Sequence, residues 1–271
     1  MALGKSSAVV IGSFPLGESD RVVTFYSREF GKIRGVARAA RRVRSRFGSA
    51  LELGTLGELV FFDTGRSELV RIDHFDITRP FNRVREDLER LARAAWIIEC
   101  VARLTAERDR HVALFGLLVR ALRALEGAVK PARVALAFGV RCIEALGHRP
   151  RLDACVECGR AYPFSRASLG AGGLVCETCV RAGADALPIS PSAIDALDRL
   201  RSLAWDEALV RPIGRAEAEL GGLLDTQVSR LMGHTPRSTK FLRELQRISP
   251  APVDRAAAKR ENMKNMTEAS P

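Results

Sequence analysis

Hydrophobic and polar positions over the first 80 residues fall into short runs rich in Val, Ile and Phe. These occupy residues 8–13, 22–27, 32–37, 56–63 and 68–77. Turn-forming material separates them: Pro15-Leu-Gly17, Gly31, Gly54 and the stretch 64–67. Five strands over about 75 residues match a small closed barrel, and the five-stranded OB-fold is the commonest of these. The stretch 38–46 lies between the third and fourth strands. Its alanines (Ala37, Ala39, Ala40) tilt the expectation toward a partial helix.

At Asn82 the period changes. Val84, Leu88, Leu91, Ala95, Ile98 and Ala102 step by four and three, the stripe of an amphipathic helix. Val112, Phe115, Val119 and Leu122 carry a second. A third runs from Pro131 through Val134, Phe138 and Cys142 to Gly147. Ser190 and Pro191 open a fourth, Ala216 to Leu231 form a fifth, and Phe241, Leu242, Leu245 and Ile248 suggest a short sixth. Strands followed by helices predict an α+β multidomain chain rather than a wound α/β fold. The expected division is a barrel over residues 1–81, a helical domain over 82–248 and a disordered tail over 249–271, which lacks apolar periodicity. There is no internal repeat.

Between the third and fourth helices, Cys155-x-x-Cys158 and Cys176-x-x-Cys179 are separated by 17 residues. Two such pairs are the zinc-ribbon pattern, because two residues between thiolates let each pair wrap one edge of a tetrahedral ion. The expected module spans 149–185, with Gly159 suited to the tight turn after Cys158 and the glycines at 170, 172 and 173 returning the chain as a hairpin. Disulfides are the competing reading, and the expected cytosolic compartment weighs against them. Four Cys ligands leave no open position, and none of His74, His111, His148 or His234 supplies the His-x-Glu of a nucleic-acid deaminase, so one structural Zn²⁺ is expected. Arg149, Arg151, Arg160, Arg166 and Arg181 are candidates to balance its negative thiolates. Cys100 and Cys142, on apolar helix faces, read as small buried hydrophobes.

Charge changes the picture next. In 271 residues, 43 Lys and Arg stand against 32 Asp and Glu, a formal net charge of +11. Arg outnumbers Lys 37 to 6, which fits a G- and C-rich genome and explains which base is used, not why bases exceed acids. The surplus is focused: residues 31–50 hold Lys32, Arg34, Arg38, Arg41, Arg42, Arg44 and Arg46, with no acid. Such a segment favours a polyanion, nucleic acid first. Nine of sixteen aromatics lie within the first 81 residues, and Phe47, beside Arg46, is the candidate for base stacking, with barrel core as its alternative. No P-loop, Gly-x-Gly-x-x-Gly or Gly-x-Ser-x-Gly is present, which leans toward a binding protein rather than an enzyme. No apolar run approaches the roughly 18–20 residues of a membrane span, and the N-terminal apolar stretch is too short for a secretion signal. A cytoplasmic protein without membrane contact is expected.

These motifs together resemble the RecO family of bacterial DNA repair and recombination mediators. The resemblance rests on Val9-Val-Ile11, Pro15-Leu-Gly-Glu-Ser-Asp-Arg21, Phe30-Gly-Lys-Ile-Arg-Gly-Val-Ala37, Arg41-Arg-Val-Arg-Ser-Arg-Phe47, both cysteine pairs, and Ser238-Thr-Lys-Phe-Leu-Arg243. It spans about residues 6–247. It implies an N-terminal OB-fold and a helical domain carrying the zinc module. It also implies binding of single- and double-stranded DNA, annealing of complementary strands, and, with RecR, loading of RecA on strands coated by single-strand-binding protein near the nucleoid. The family often has Ala-Lys-Gly-Ala-Arg where this chain has Ala37-Arg38-Ala39-Ala40-Arg41, and some members lack the cysteines. The alternative is a protein-interaction adaptor whose helical domain recruits partners, with DNA contact secondary.

Overall fold

The computed structural model describes residues 2–65 and 67–248; the tail expected at 249–271 lies outside them. Five strands come first: β1 (Ala2–Leu16), β2 (Asp20–Ser27), β3 (Gly31–Ala37), β4 (Leu56–Asp63) and β5 (Val70–Arg79). They close on themselves in the order β1-β2-β3-β5-β4. Every pairing is antiparallel except β3 with β5. This is the five-stranded OB-fold arrangement.

β1 is far longer than its apolar run. Its first half pairs with β4, from Ala2 opposite Asp63 to Val9 opposite Leu56, and its second half pairs with β2, from Ala8 opposite Ser27 to Leu16 opposite Asp20. One strand must serve two neighbours for a five-stranded ring to close, so polar residues such as Lys5 and Ser7 are drawn into it. Strand alternation then sorts the barrel residues. Val10, Val23, Phe25, Ile33, Leu59 and Ile72 point into the barrel core, while Val9, Ile11, Tyr26 and Leu56 face outward and join the core of the helices.

The helical part begins with α1 (Asn82–Arg85), α2 (Leu88–Leu104), α3 (Val112–Gly127) and α4 (Pro131–Ala145). The single helix expected from Val84 to Ala102 is broken, because the Asp87 carboxylate accepts the Arg90 N–H and starts α2 afresh. His111 starts α3 with a ring nitrogen: Nδ1 accepts the Leu114 N–H while Nε2 donates to the Ala145 carbonyl. The inserted module follows, with β6 (Ala167–Gly170), β7 (Leu174–Cys176), α5 (Glu177–Arg181) and β8 (Ala186–Ile189), the strands ordered β7-β6-β8. Then come α6 (Pro191–Ser202), α7 (Trp205–Val210), α8 (Ala216–Met232) and α9 (Arg237–Ile248). Ser190 caps α6, and Gly233, at φ 74°, ends α8.

Barrel and helices meet closely along 105–110. The Arg108 N–H donates to the Lys32 carbonyl at 2.9 Å, Arg108 pairs with Asp63 at 2.8 Å and Arg110 with Glu29 at 3.0 Å. Gly31, at φ 65°, packs so tightly that a Cβ would stand 2.1 Å from the Asp109 carbonyl oxygen.

Candidate nucleic-acid interface and metal centre

The acid-free segment after β3 forms no helix. Hydrogen bonds Arg42 N–H to Ala39, Ser45 to Arg42, Gly48 to Ser45 and Ala50 to Phe47 make a string of tight turns. The expected partial helix fails because Ala39 (φ 55°) and Gly48 (φ 47°) both lie in the left-handed region. The string is fastened at two places. At its start, Asp20 Oδ1 accepts the Ala39 N–H at 2.7 Å, and Arg41 binds the β1–β2 turn through its N–H to Ser19 and its guanidinium to the Gly17 carbonyl. At its end, Phe47, Ala50 and Leu51 sink into the barrel core.

This fastening divides the sequence candidates. Arg38, Arg41, Arg42, Arg44 and Arg46 are exposed, and Arg34 is half-buried on β3. Arg38, Arg42 and Arg44 make no ion pair among the described residues. Asp20, which feels two of these charges, is held below the usual carboxylate range, first by the Ala39 N–H and Ser19, and then by Arg38 and Arg42. Lys32 stands apart from this group. Its ammonium donates to the Ala102 and Thr105 carbonyls at 3.0 and 2.6 Å, so it bridges barrel and helix α2. Phe47 is 3% exposed, with the Arg46 guanidinium 5.1 Å from its ring centre. Stacking on a base is thereby excluded for Phe47 in this conformation, and core is its place.

The aromatic side chain that sequence reasoning passed over is Phe14, 46% exposed. It sits opposite Val22, which sits opposite Val36, while Gly12, Thr24 and Arg34 form the neighbouring row. Cross-strand partners share a face, so Phe14 and Arg34 lie on the same outer surface. The turn that Arg41 grips begins at Gly17, three residues beyond Phe14. An aromatic immediately before a Pro-Leu-Gly turn in a barrel strand was the available signal.

The four cysteines converge. Cys155, Cys158, Cys176 and Cys179 bring their sulfurs within 4.8 Å of one another, a set able to hold a metal ion. Cys155 and Cys158 flank a turn in which Gly159, at φ 75°, donates its N–H to the Cys155 carbonyl. Cys176 ends β7 and Cys179 lies in α5. Gly173 makes the close approach of the two halves possible, since a Cβ there would lie 2.3 Å from the Arg151 carbonyl oxygen. The Cys158–Cys176 sulfur separation of 3.8 Å is far beyond a disulfide's roughly 2.05 Å. It matches the edge of about 3.8 Å that four bonds of about 2.3 Å impose on a tetrahedron.

Electrostatics of the cluster also fit a cation. Burial opposes the Cys155 thiolate, but N–H groups of Cys176, Cys158 and Glu157 outweigh it and bring the thiol to about 6. Cys179 is pushed up to about 12, first by its contact with Cys176, then by burial and the remaining thiols. Thiolates packed this closely oppose one another, and a metal ion held here would take its cysteine ligands as thiolates. Of the five nearby arginines, only Arg160 is shown acting on this cluster's charge. It pairs with Glu177 at 2.7 Å and feels Cys176 and Cys158. Arg149 and Arg151 pair instead with Glu144 and Asp153.

Residues 1–81 match the family described as Recombination protein O N terminal, and residues 85–240 that described as Recombination protein O C terminal. A DNA repair protein RecO of Anaeromyxobacter dehalogenans (strain 2CP-C) is 35% identical over 247 residues, covering 89% of this chain and 96% of that protein. One from Frankia casuarinae is 36% identical over 250 residues, covering 91% and 100%. One from Roseiflexus sp. (strain RS-1) is 32% identical over 264 residues, covering 94% and 92%. None of these names gives a catalysed reaction. Among the described residues no helix is long and apolar enough to cross a membrane.

Proposed function

The chain belongs to the RecO family, and from that premise we propose that it acts in DNA repair as a DNA-binding, strand-annealing recombination mediator. Its work involves no chemical step. Phosphates of single- or double-stranded DNA bind Arg34, Arg38, Arg41, Arg42, Arg44 and Arg46, and an unpaired base stacks on Phe14. Neutralising phosphates lowers repulsion between strands, so complementary bases meet. With RecR, the protein helps load RecA onto strands coated by single-strand-binding protein, a role that family membership supports.

The observation that carries this reading is the string of turns presenting Arg38, Arg42 and Arg44 without an ion pair among the described residues, while Asp20 accepts hydrogen bonds from the Ala39 N–H and the Ser19 hydroxyl. Reversing these three to Glu in the full chain should abolish annealing and leave metal content and circular dichroism unchanged. Annealing at the unmodified rate by that variant refutes the reading.

The ion of the cysteine cluster is Zn²⁺, held by Cys155, Cys158, Cys176 and Cys179. When bound, it supplies a closed structural crosslink. Leu169, Leu174 and Ile189 of the inserted sheet belong to the helical core, so the crosslink supports that core as well as the module. Metal analysis should give one zinc per chain, and cobalt substitution should give the absorption of a four-sulfur site. A spectrum with oxygen or nitrogen ligands refutes the assignment.

A further inference from the structure

Beside the cysteine cluster runs an open groove of about 870 Å³, lined by Tyr162, Phe164, Arg166, Arg181 and Pro188 among others. Its two carboxylates are already committed. Glu177 is taken by Arg160 at 2.7 Å. Glu219 accepts both the N–H and the hydroxyl of Ser190 at 2.6 Å. Its two remaining guanidiniums, Arg166 and Arg181, are exposed and make no ion pair among the described residues. With Glu177 neutralised by Arg160 and Glu219 hydrogen-bonded only to uncharged groups, the two free guanidiniums leave the groove with an excess of one positive charge.

Its aromatic content is ordered. Tyr162 and Phe164 meet edge to face, with ring centres 5.4 Å apart and planes at 88°. Arg160 lies 5.1 Å from the Phe164 ring centre, which fixes that ring from another side. Tyr162 is half-buried and stands where this groove meets a second one, of about 720 Å³. A ring for a base beside unpaired guanidiniums for phosphates is the combination that holds a single strand without reading its sequence.

We propose that this groove is a second single-strand site, and that annealing proceeds with one strand on the barrel's arginine segment and the other here. The proposal rests on the annealing reading above. It answers a requirement of that reading: two polyanions must be held at once, and on one patch they compete for the same arginines.

The test uses full-length, zinc-loaded protein and two non-complementary oligonucleotides carrying donor and acceptor dyes. Energy transfer between them reports two strands on one protein. For Arg166→Glu/Arg181→Glu we expect first-strand affinity within about twofold of the unmodified protein, and second-strand affinity lower by about tenfold or more. Annealing slows with the second-strand loss. An oligonucleotide carrying 5-iodouracil, added as second strand to the unmodified protein, crosslinks on irradiation to the peptide containing Tyr162. Unchanged second-strand capture and annealing by the double variant, or crosslinks that avoid that peptide, overturn the proposal. The Arg38→Glu/Arg42→Glu/Arg44→Glu variant separates the two readings. If it loses the first strand while the groove variant changes nothing, the groove alone is refuted. If neither variant changes binding, the DNA-annealing reading falls as well.

Discussion

At the scale of single residues, the arginine segment owes its shape to a position that L-amino acids resist. Ala39 holds φ 55°, a left-handed conformation in which its Cβ crowds the following carbonyl, at a cost of about 1–2 kcal/mol. The resemblance to a family that often has Gly there gave the only warning, and the alanine content pointed the other way, to a helix. Ala39→Gly relieves the crowding but frees the unfolded chain, so we expect a net gain of about 0.5–1 kcal/mol in urea unfolding. DNA affinity should stay unchanged, since no arginine is removed. Lys32 was legible as a base, but its partners were not, because Ala102 and Thr105 lie some 70 residues away in sequence. Lys32→Met leaves both carbonyls without that donor and lowers stability by about 1–3 kcal/mol. The same variant should keep the salt dependence of DNA binding, measured by anisotropy. A shallower dependence would return Lys32 to the interface.

At the scale of elements, strands and helices were legible wherever one face is apolar, and α9 shows where that rule stops. Its polar first turn is fixed by α2. Glu99 accepts the Arg237 and Ser238 N–H groups at 3.0 and 2.9 Å and the Ser238 hydroxyl at 2.6 Å. Such an anchor across about 140 residues leaves no periodic trace. Burial raises Glu99, but the Ser238 hydroxyl and the two N–H groups outweigh it and hold the carboxyl below its usual range. A carboxyl lowered by folding contributes fully above its unfolded pKa of about 4.3, and the contribution is lost as pH falls through the folded value. Asp225, facing Thr239 from α8, acts oppositely: burial raises it, so it weighs against the folded state as pH rises through the window between its unfolded and folded values. With a fluorophore at position 240, α9 should loosen below about pH 4 in the native chain. Glu99→Gln should weaken the anchor at neutral pH by less than about 2 kcal/mol, because Glu99 is partly exposed, and should flatten the acid limb. An acid limb unaltered in the variant would assign the pH dependence elsewhere.

At the scale of the whole molecule, the net charge of +11 divides unevenly. Residues 31–50 hold +7, leaving +4 for all the rest. The sequence displayed that focus, but it did not display the joint that binds barrel to helices. Val9, Ile11 and Tyr26 are strand residues whose outward faces complete the helical core, so the barrel cut free at residue 81 would expose an apolar patch. Binding is therefore best measured on the full chain. With Lys32 committed to that joint, six arginines remain for the first strand. At about 0.7 counterions per phosphate contact, the log–log salt slope for single-stranded DNA is at most about −4. It falls short of that limit to the extent that Arg41 keeps its hold on the Gly17 carbonyl. The groove by the cysteine cluster offers Arg166 and Arg181, so a second strand should dissociate with a slope of only about −1.4. Raising salt therefore strips the barrel faster than the groove, and annealing should fail with the steeper of the two slopes. Measuring annealing rate and first-strand affinity over the same salt series checks this, and an annealing slope near −1 would place the limiting contact in the groove instead.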